Sequence, residues 1–272
     1  MKKENYFIAQ FKNKHIGDDG ALISGYVYSK DAFFENVHFK SSWMSFYQIA
    51  YKAMMVNISD AVAMNALPKY ALLSVAMPSS ISKSEMKELA EGFKDAAAKY
   101  GIEIIGGDTI SNTKLDITIT IISKTKKPLL RSGLRVDYLL AYTGTLGRSY
   151  KDLKKLLNQG KVHSNSKFIN IELREKFVHN TRRYLSSGMD ISDGLLSDLE
   201  KLATLNRIGF QFHKKILKRE SCSGEEYEML VAFDKRYKKA VIRRAVQSRT
   251  ALNIFAHSSR KSYANRCKAH HF

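Results

Sequence analysis

Aspartates recur among small residues at four places in this chain: Gly17-Asp18-Asp19-Gly20, Ser59-Asp60, Gly106-Gly107-Asp108-Thr109 and Gly188-Met189-Asp190-Ile191-Ser192-Asp193-Gly194. Short carboxylates give hard divalent cations the oxygen ligands they prefer, and the glycines let the backbone approach a ligand or take a positive φ. In a chain with 45 Lys plus Arg against 26 Asp plus Glu, acid clusters with no Lys or Arg inside them need a reason. Metal-bridged polyphosphate supplies one. Neither a G-x-x-x-x-G-K-S/T loop nor a G-x-G-x-x-G fingerprint is present, so phosphate must be held mainly through metal ions. The turn from Asp190 superficially matches a calcium-binding loop, but Lys201 stands where the bidentate Glu belongs.

The elements that must position these aspartates read as alternating strands and helices. Ala21 to Ser29 is apolar and β-rich. From Ser45 the residues Phe46, Ile49, Ala50, Ala53 and Met54 recur at helical spacing and run toward Ser59-Asp60, so a turn carrying Asp60 is expected near a helix. Pro68 ends that segment, and Tyr70 to Met77 reads as a buried strand. Ser82 and Glu85 form a capping box for a helix that Gly101 stops. A strand at Glu103 to Ile105 leads into the Gly106-Gly107-Asp108 turn, and Leu115 to Ser123 is the next strand. The basic stretch Lys124 to Arg135 reads as a connection, dividing the chain into residues 1–132 and 133–272. Beyond it we expect a strand at Tyr138 to Thr143 and helices near Tyr150 to Asn158, Glu172 to Leu185 and Leu195 to Leu205.

Composition bounds the function classes. A chain of 272 residues, 44% hydrophobic, can bury a sizeable core. No stretch approaches the roughly 20 apolar residues of a membrane span. The start Met1-Lys2-Lys3-Glu4-Asn5 lacks an apolar run behind it, so a secretory leader is not expected and the protein is read as cytoplasmic. Cys222 and Cys267 fit no zinc or disulfide framework and are expected as free thiols. The net charge is +19, and eleven Lys or Arg with no Asp or Glu follow Asp234. Such a tail could meet nucleic acid, but no helix-turn-helix, zinc-knuckle or aromatic RNA-binding motif accompanies it. A solvated basic face, or a field that draws in phosphorylated small molecules, is the reading preferred.

Taken in order, the motifs resemble a known family. Ile16-Gly-Asp-Asp19, Glu35-Asn-Val-His-Phe39, Val56-Asn-Ile-Ser-Asp-Ala-Val-Ala-Met64 with Pro68, Gly106-Gly-Asp-Thr109, Arg131-Ser-Gly133, Thr143-Gly-Thr-Leu-Gly147, Met189-Asp-Ile-Ser-Asp-Gly-Leu195 and Ser223-Gly-Glu-Glu-Tyr-Glu228 are similar to thiamine-monophosphate kinases. That family shares a superfamily with aminoimidazole-ribonucleotide synthetase and selenophosphate synthetase. The resemblance implies a two-domain α/β (α+β) fold of the aminoimidazole-ribonucleotide-synthetase type: an N-terminal mixed sheet forming a barrel across a homodimer, and a C-terminal α/β domain completing the cleft. It implies ATP and thiamine monophosphate as substrates, several Mg2+ ions, and direct in-line transfer giving thiamine diphosphate. Carried over by motif, Asp19, Ser29, Asp31, Asp60, Asp108, Asp190 and Asp193 would hold metal. Lys30, Gly107, Arg131 and Ser192 would serve the nucleotide side, and His38 and Glu225 the thiamine phosphate. Asp18 is read as a turn former rather than a ligand.

Departures from the family pattern mark what is to be tested. Lys30 stands where a Thr is usual, leaving only its carbonyl for a metal. Asn65 replaces a Gly, and Glu226 an Asp. The chain ends Lys268-Ala-His-His-Phe272 rather than in the usual aromatic segment, with Tyr263 as the candidate for stacking on the thiamine ring. The alternatives are another ATP-using member of the superfamily, or a basic nucleic-acid-binding protein.

Overall fold

The computed structural model describes residues 3–11 and 13–268, so the chain end from Ala269 lies outside the described residues. Two five-stranded sheets with helices form the structure. After a short helix α1 (Lys3–Ile8), β1 (Ala21–Ile23) and β2 (Tyr26–Phe34) make an antiparallel hairpin. The single strand expected over Ala21 to Ser29 is broken because Ser24 (φ 51°) and Gly25 (φ 81°) both take left-handed conformations, which suit a two-residue hairpin turn. Helix α2 (Phe46–Ala63) follows, then β3 (Leu67–Pro78), α3 (Lys83–Tyr100), β4 (Glu103–Asn112) and β5 (Asp116–Lys124). The first sheet has the order β1-β2-β5-β3-β4, antiparallel except for the parallel pair β3/β4.

Ser45 and Ser82 start α2 and α3 alike. Each hydroxyl accepts the N–H three residues on, and Gln48 or Glu85 accepts the serine's own N–H in return. At its far end α3 stops on Gly101 at φ 63°, as expected. Where the two helices cross, a Cβ on Gly92 would lie 2.3 Å from the Tyr47 carbonyl oxygen, so only glycine permits the approach. Ser59 and Asp60 belong to the last turns of α2 itself, not to a turn beyond it. Likewise Gly106-Gly107-Asp108 does not form a turn: after a register shift that leaves Ile105 unpaired, β4 continues through it, paired with Leu72 to Ser74 of β3.

The second sheet is entirely antiparallel, in the order β7-β9-β6-β10-β8. Its strands are β6 (Tyr138–Thr143), β7 (Ser187–Asp190), β8 (Gly209–Phe212), β9 (Met229–Asp234) and β10 (Leu252–Ser259). The helices are α4 (Arg148–Leu157), α5 (Glu175–Thr181), α6 (Leu195–Asn206), α7 (Lys218–Ser221) and α8 (Lys238–Gln247). The helix expected over Glu172 to Leu185 is shorter, passing into a 3-10 turn at Arg182–Tyr184.

A continuous hydrophobic core joins the two sheets: Phe33, Ile49, Met54 and Ile119 belong to the same cluster as Phe168, Phe177, Val231 and Phe233. A smaller cluster, with Leu140, Met189, Leu199 and Phe255, lies on the other side of the second sheet. Tyr263 packs there, its ring centroid 5.1 Å from that of Phe210 and its hydroxyl donating to the Leu196 carbonyl, so its aromatic face is used in packing. The expectation of free thiols is corrected: Cys222 and Cys267 are disulfide-bonded, their Cα atoms 5.5 Å apart. The C-terminal segment returns over α6, with Asn265 Nδ2 donating to Ser197 Oγ, and this return rather than any local spacing pairs the cysteines. Among the described residues no helix is long and apolar enough to cross a membrane.

Candidate active site

The acidic motifs meet where the C-terminal end of α2, the loop before β1 and the end of β7 converge. Asp19, Asp60 and Asp190 each present a carboxylate oxygen, and these oxygens lie within 4.8 Å of one another. Ser59 Oγ donates to Asp190 Oδ2 at 2.6 Å, tying α2 to β7. Arg131 fixes the loop: its backbone N–H donates to Asp18 Oδ1 at 2.6 Å, and its Nε and Nη2 donate to Asp19 Oδ1. Asp18 thus holds the loop through a partner 113 residues away rather than through the local turn expected of it. Asp19 Oδ2 is left buried without a hydrogen bond. A buried carboxylate oxygen with no partner is costly, and a cation bound there would satisfy it.

Beside this trio, Asn57 on α2 accepts the Asp31 N–H on Oδ1 at 2.8 Å and donates from Nδ2 to the Ala53 carbonyl at 2.9 Å, which holds Asp31 to the helix. Across the cleft, the Lys201 ammonium bridges Asp193 (2.7 Å) and Asp198 (2.8 Å). Crowded acids in a poorly solvated place hold their protons. Burial, then the charges of Asp19 and Asp193, push Asp31 up to about 6. Asp190 is pushed up to about 8, chiefly by burial and then by Asp19, although the Ser59 hydrogen bond opposes this. Asp60 is raised well above the carboxylate range by burial and by Asp31, Asp190 and Asp19. These are the electrostatics of a site built for cations.

The cleft encloses about 310 Å³ and is lined by most of the expected residues: Asp19, Lys30, Asp31, His38, Asp60, Arg131, Asp190, Ser192, Asp193 and Glu225. His38 Nδ1 accepts the Phe34 N–H at 3.0 Å, which puts the neutral ring's proton on Nε2, and the ring stacks on Phe33 at 5.5 Å. The Lys30 ammonium donates to Thr118 Oγ1 at 3.2 Å. Ser29 is buried beside the cleft, its hydroxyl 3.5 Å from the Asn57 carbonyl oxygen. Gly107 and Asp108 are not brought to the cleft: they lie on the exposed β4, lining a separate hollow with Leu73, Met86 and Phe93. Sequence reasoning missed Lys201, Asn57, Tyr227 and Lys52. Tyr227 is a buried cleft residue at φ 49° whose phenol burial keeps neutral, and Lys52 pairs with Glu225.

Residues 17–125 match the family model "AIR synthase related protein, N-terminal domain". Over 224 residues the chain is 34% identical to the thiamine-monophosphate kinase of Bacillus subtilis (strain 168), covering 74% of this chain and 67% of that one. Over 224 residues it is 30% identical to the same enzyme of Nitrosopumilus maritimus (strain SCM1), covering 75% and 72%. The chain belongs to the thiamine-monophosphate kinase family. The fold agrees with this family. The structure of AaThiL complexed with AMPPCP and TMP superposes with a TM-score of 0.85 at 23% identity, over 96% of this chain and 90% of that one. The more distant hydrogenase maturation protein HypE superposes at 0.73 with 13% identity, over 98% and 92%. The mixed α/β fold expected from the motifs, built on two sheets, is thus the type observed.

Proposed function

We propose that this protein transfers the γ-phosphoryl group of ATP to thiamine monophosphate, giving thiamine diphosphate and ADP. The observation that carries the reading is the meeting of Asp19, Asp60 and Asp190 from three distant motifs, with one buried oxygen of Asp19 left without a partner. Support comes from the family's named activity and from the nucleotide analogue and TMP held by a protein of the same fold.

The acceptor is a phosphate monoester, already ionised at neutral pH, so no general base is required. What the chain must supply is relief of repulsion between two anions and their alignment. Asp19, Asp60 and Asp190, with Asp31, Asp193 and Ser29 near them, form the donor set for Mg2+. Magnesium bound there would neutralise phosphate charge. Arg131, oriented by Asp19, and the turn at Ser192 would bind nucleotide phosphates, with the Lys30 backbone at the same wall. His38, with Nε2–H, and Glu225 would hold the thiamine phosphate. No covalent phosphoenzyme is invoked.

Gly107 and Asp108 lie on the exposed β4, the surface through which we propose that a second subunit pairs, making a homodimer. Residues 1–132 would then form the nucleotide-binding and pairing domain and 133–272 the domain that completes the cleft. The cytoplasm, where ATP is supplied, is the compartment we propose; nucleic acid is not a partner in this reading. A coupled assay of ADP formation tests it: ADP should appear only when thiamine monophosphate and Mg2+ are both present. ATP turnover indifferent to thiamine monophosphate would point instead to another chemistry within the superfamily.

A further inference from the structure

Lys52 stands in the middle of α2, 1% exposed, in a helix whose other buried side chains are apolar apart from Asn57 and Ser59 near its C-terminal end. A buried ammonium is expensive unless paired, and its burial here pulls its pKa down. Its Nζ lies 3.7 Å from the ring centroid of Phe168 and 5.4 Å from that of Phe33, an aromatic enclosure that suits a cation. The hydrogen-bond partner is Glu225, whose Oε2 accepts from Nζ at 2.7 Å across 173 residues of sequence. Glu225 is itself constrained. It sits at φ 53°, its N–H donates to the Ser192 carbonyl at 2.7 Å, and Tyr227 N–H donates to the Ile191 carbonyl at 2.9 Å. Its backbone is thus laced to the turn between Asp190 and Asp193, while its side chain lines the cleft.

We infer that Lys52 is a positioning residue: it anchors one carboxylate oxygen of Glu225 and so presents the other, Oε1, to a hydrogen-bond donor or cationic group on the organic part of the acceptor substrate. Because Lys52 is clamped between Phe33 and Phe168, it cannot leave with the ligand, and the oxygen it holds stays fixed. Only the phosphate acceptor, not the nucleotide, gains from this arrangement. The inference rests on the reading of Glu225 as a contact for thiamine monophosphate.

Calorimetric binding of thiamine monophosphate and of AMPPCP, measured separately with Mg2+, tests it. In Lys52→Met the affinity for thiamine monophosphate should fall about ten- to a hundredfold, the loss of one hydrogen bond to a charged group, while AMPPCP binds as in wild type. Glu225→Gln should show the same selectivity. The double variant Lys52→Met/Glu225→Gln removes both charges together, which a fold tolerates better than a lone buried charge. It should bind thiamine monophosphate no more weakly than Glu225→Gln alone, and this comparison stands even if Lys52→Met does not fold. Equal losses for both ligands, no loss for either, or a further loss in the double variant would overturn the role given to Lys52. Wild-type protein that binds thiamine monophosphate without turning it over would overturn the proposed activity but leave the test of Lys52 intact; wild type that does not bind it overturns both.

Discussion

Asp60→Asn separates a metal site from a mere cluster of acids. Two fully ionised carboxylates with oxygens at the 4.8 Å limit repel by about 3.5 kcal/mol at an effective dielectric constant of about 20. The metal-free protein avoids this by retaining protons: Asp190 is pushed up to about 8 and Asp60 is raised as well. A carboxyl with a raised folded-state pKa binds its proton more tightly in the folded than in the unfolded chain. Its contribution to stability is therefore complete below the ordinary value of 3.8 and is lost as pH rises through about 8. Metal-free wild type should weaken over that window. Asn is neutral throughout, so in EDTA the variant should match wild type near about pH 5 and exceed it near about pH 9 by about 1–3 kcal/mol, a gain of about 2–10 °C in Tm. Magnesium should raise the Tm of wild type but not of the variant. Turnover should fall at least about a hundredfold, more than is lost when only a partner of a metal ligand is removed. Melting curves at the two pH values, with and without Mg2+, and a coupled ADP assay measure all of this. Near-normal turnover of a folded variant at saturating Mg2+, or a lower metal-free Tm at the higher pH, would refute the reasoning.

Three further outcomes are expected. His38→Ala should raise KM for thiamine monophosphate by about one to two powers of ten and leave KM for ATP within about twofold; a lower Tm with both constants unchanged would make His38 a packing residue. Reducing the Cys222–Cys267 bond, which closes a span of 45 residues, should cost about 4 kcal/mol on the chain-entropy account, about 10 °C in Tm, and a melting curve indifferent to reductant would contradict this. The exposed β4 edge, with Ile105 and Ile110 in water, should be covered by a second subunit; a fully active protein that sediments as a monomer at micromolar concentration would sink that assembly.

What could be read from sequence was local. The capping box of α3 and its glycine stop depend on neighbours a few residues apart, and the structure has both. Asp19, Asp60 and Asp190 could each be singled out because small residues flank them, although Ser59-Asp60 looked like a turn when it is helix. Gly106-Gly107-Asp108 misled for a related reason: two glycines signal a turn, but here both sit at φ 151° within a strand paired to β3, where a Cβ on Gly107 would lie 1.6 Å from the Leu73 carbonyl oxygen. Residues whose role depends on a distant partner stayed hidden. Lys52 resembles any helical lysine until Glu225 is brought to it across 173 residues, and Asn57 gives no sign of holding Asp31. The cysteine pair likewise exists only because the C-terminal segment returns over α6.

The most direct test of phosphoryl transfer in the acidic cleft uses ATP labelled at the γ-phosphate, with thiamine monophosphate and Mg2+ in a single turnover. The label should pass to the terminal phosphate of thiamine diphosphate, one equivalent for each ADP formed, with none retained on the protein. Label recovered as inorganic phosphate alone, or bound covalently to the chain, would contradict direct transfer to thiamine monophosphate.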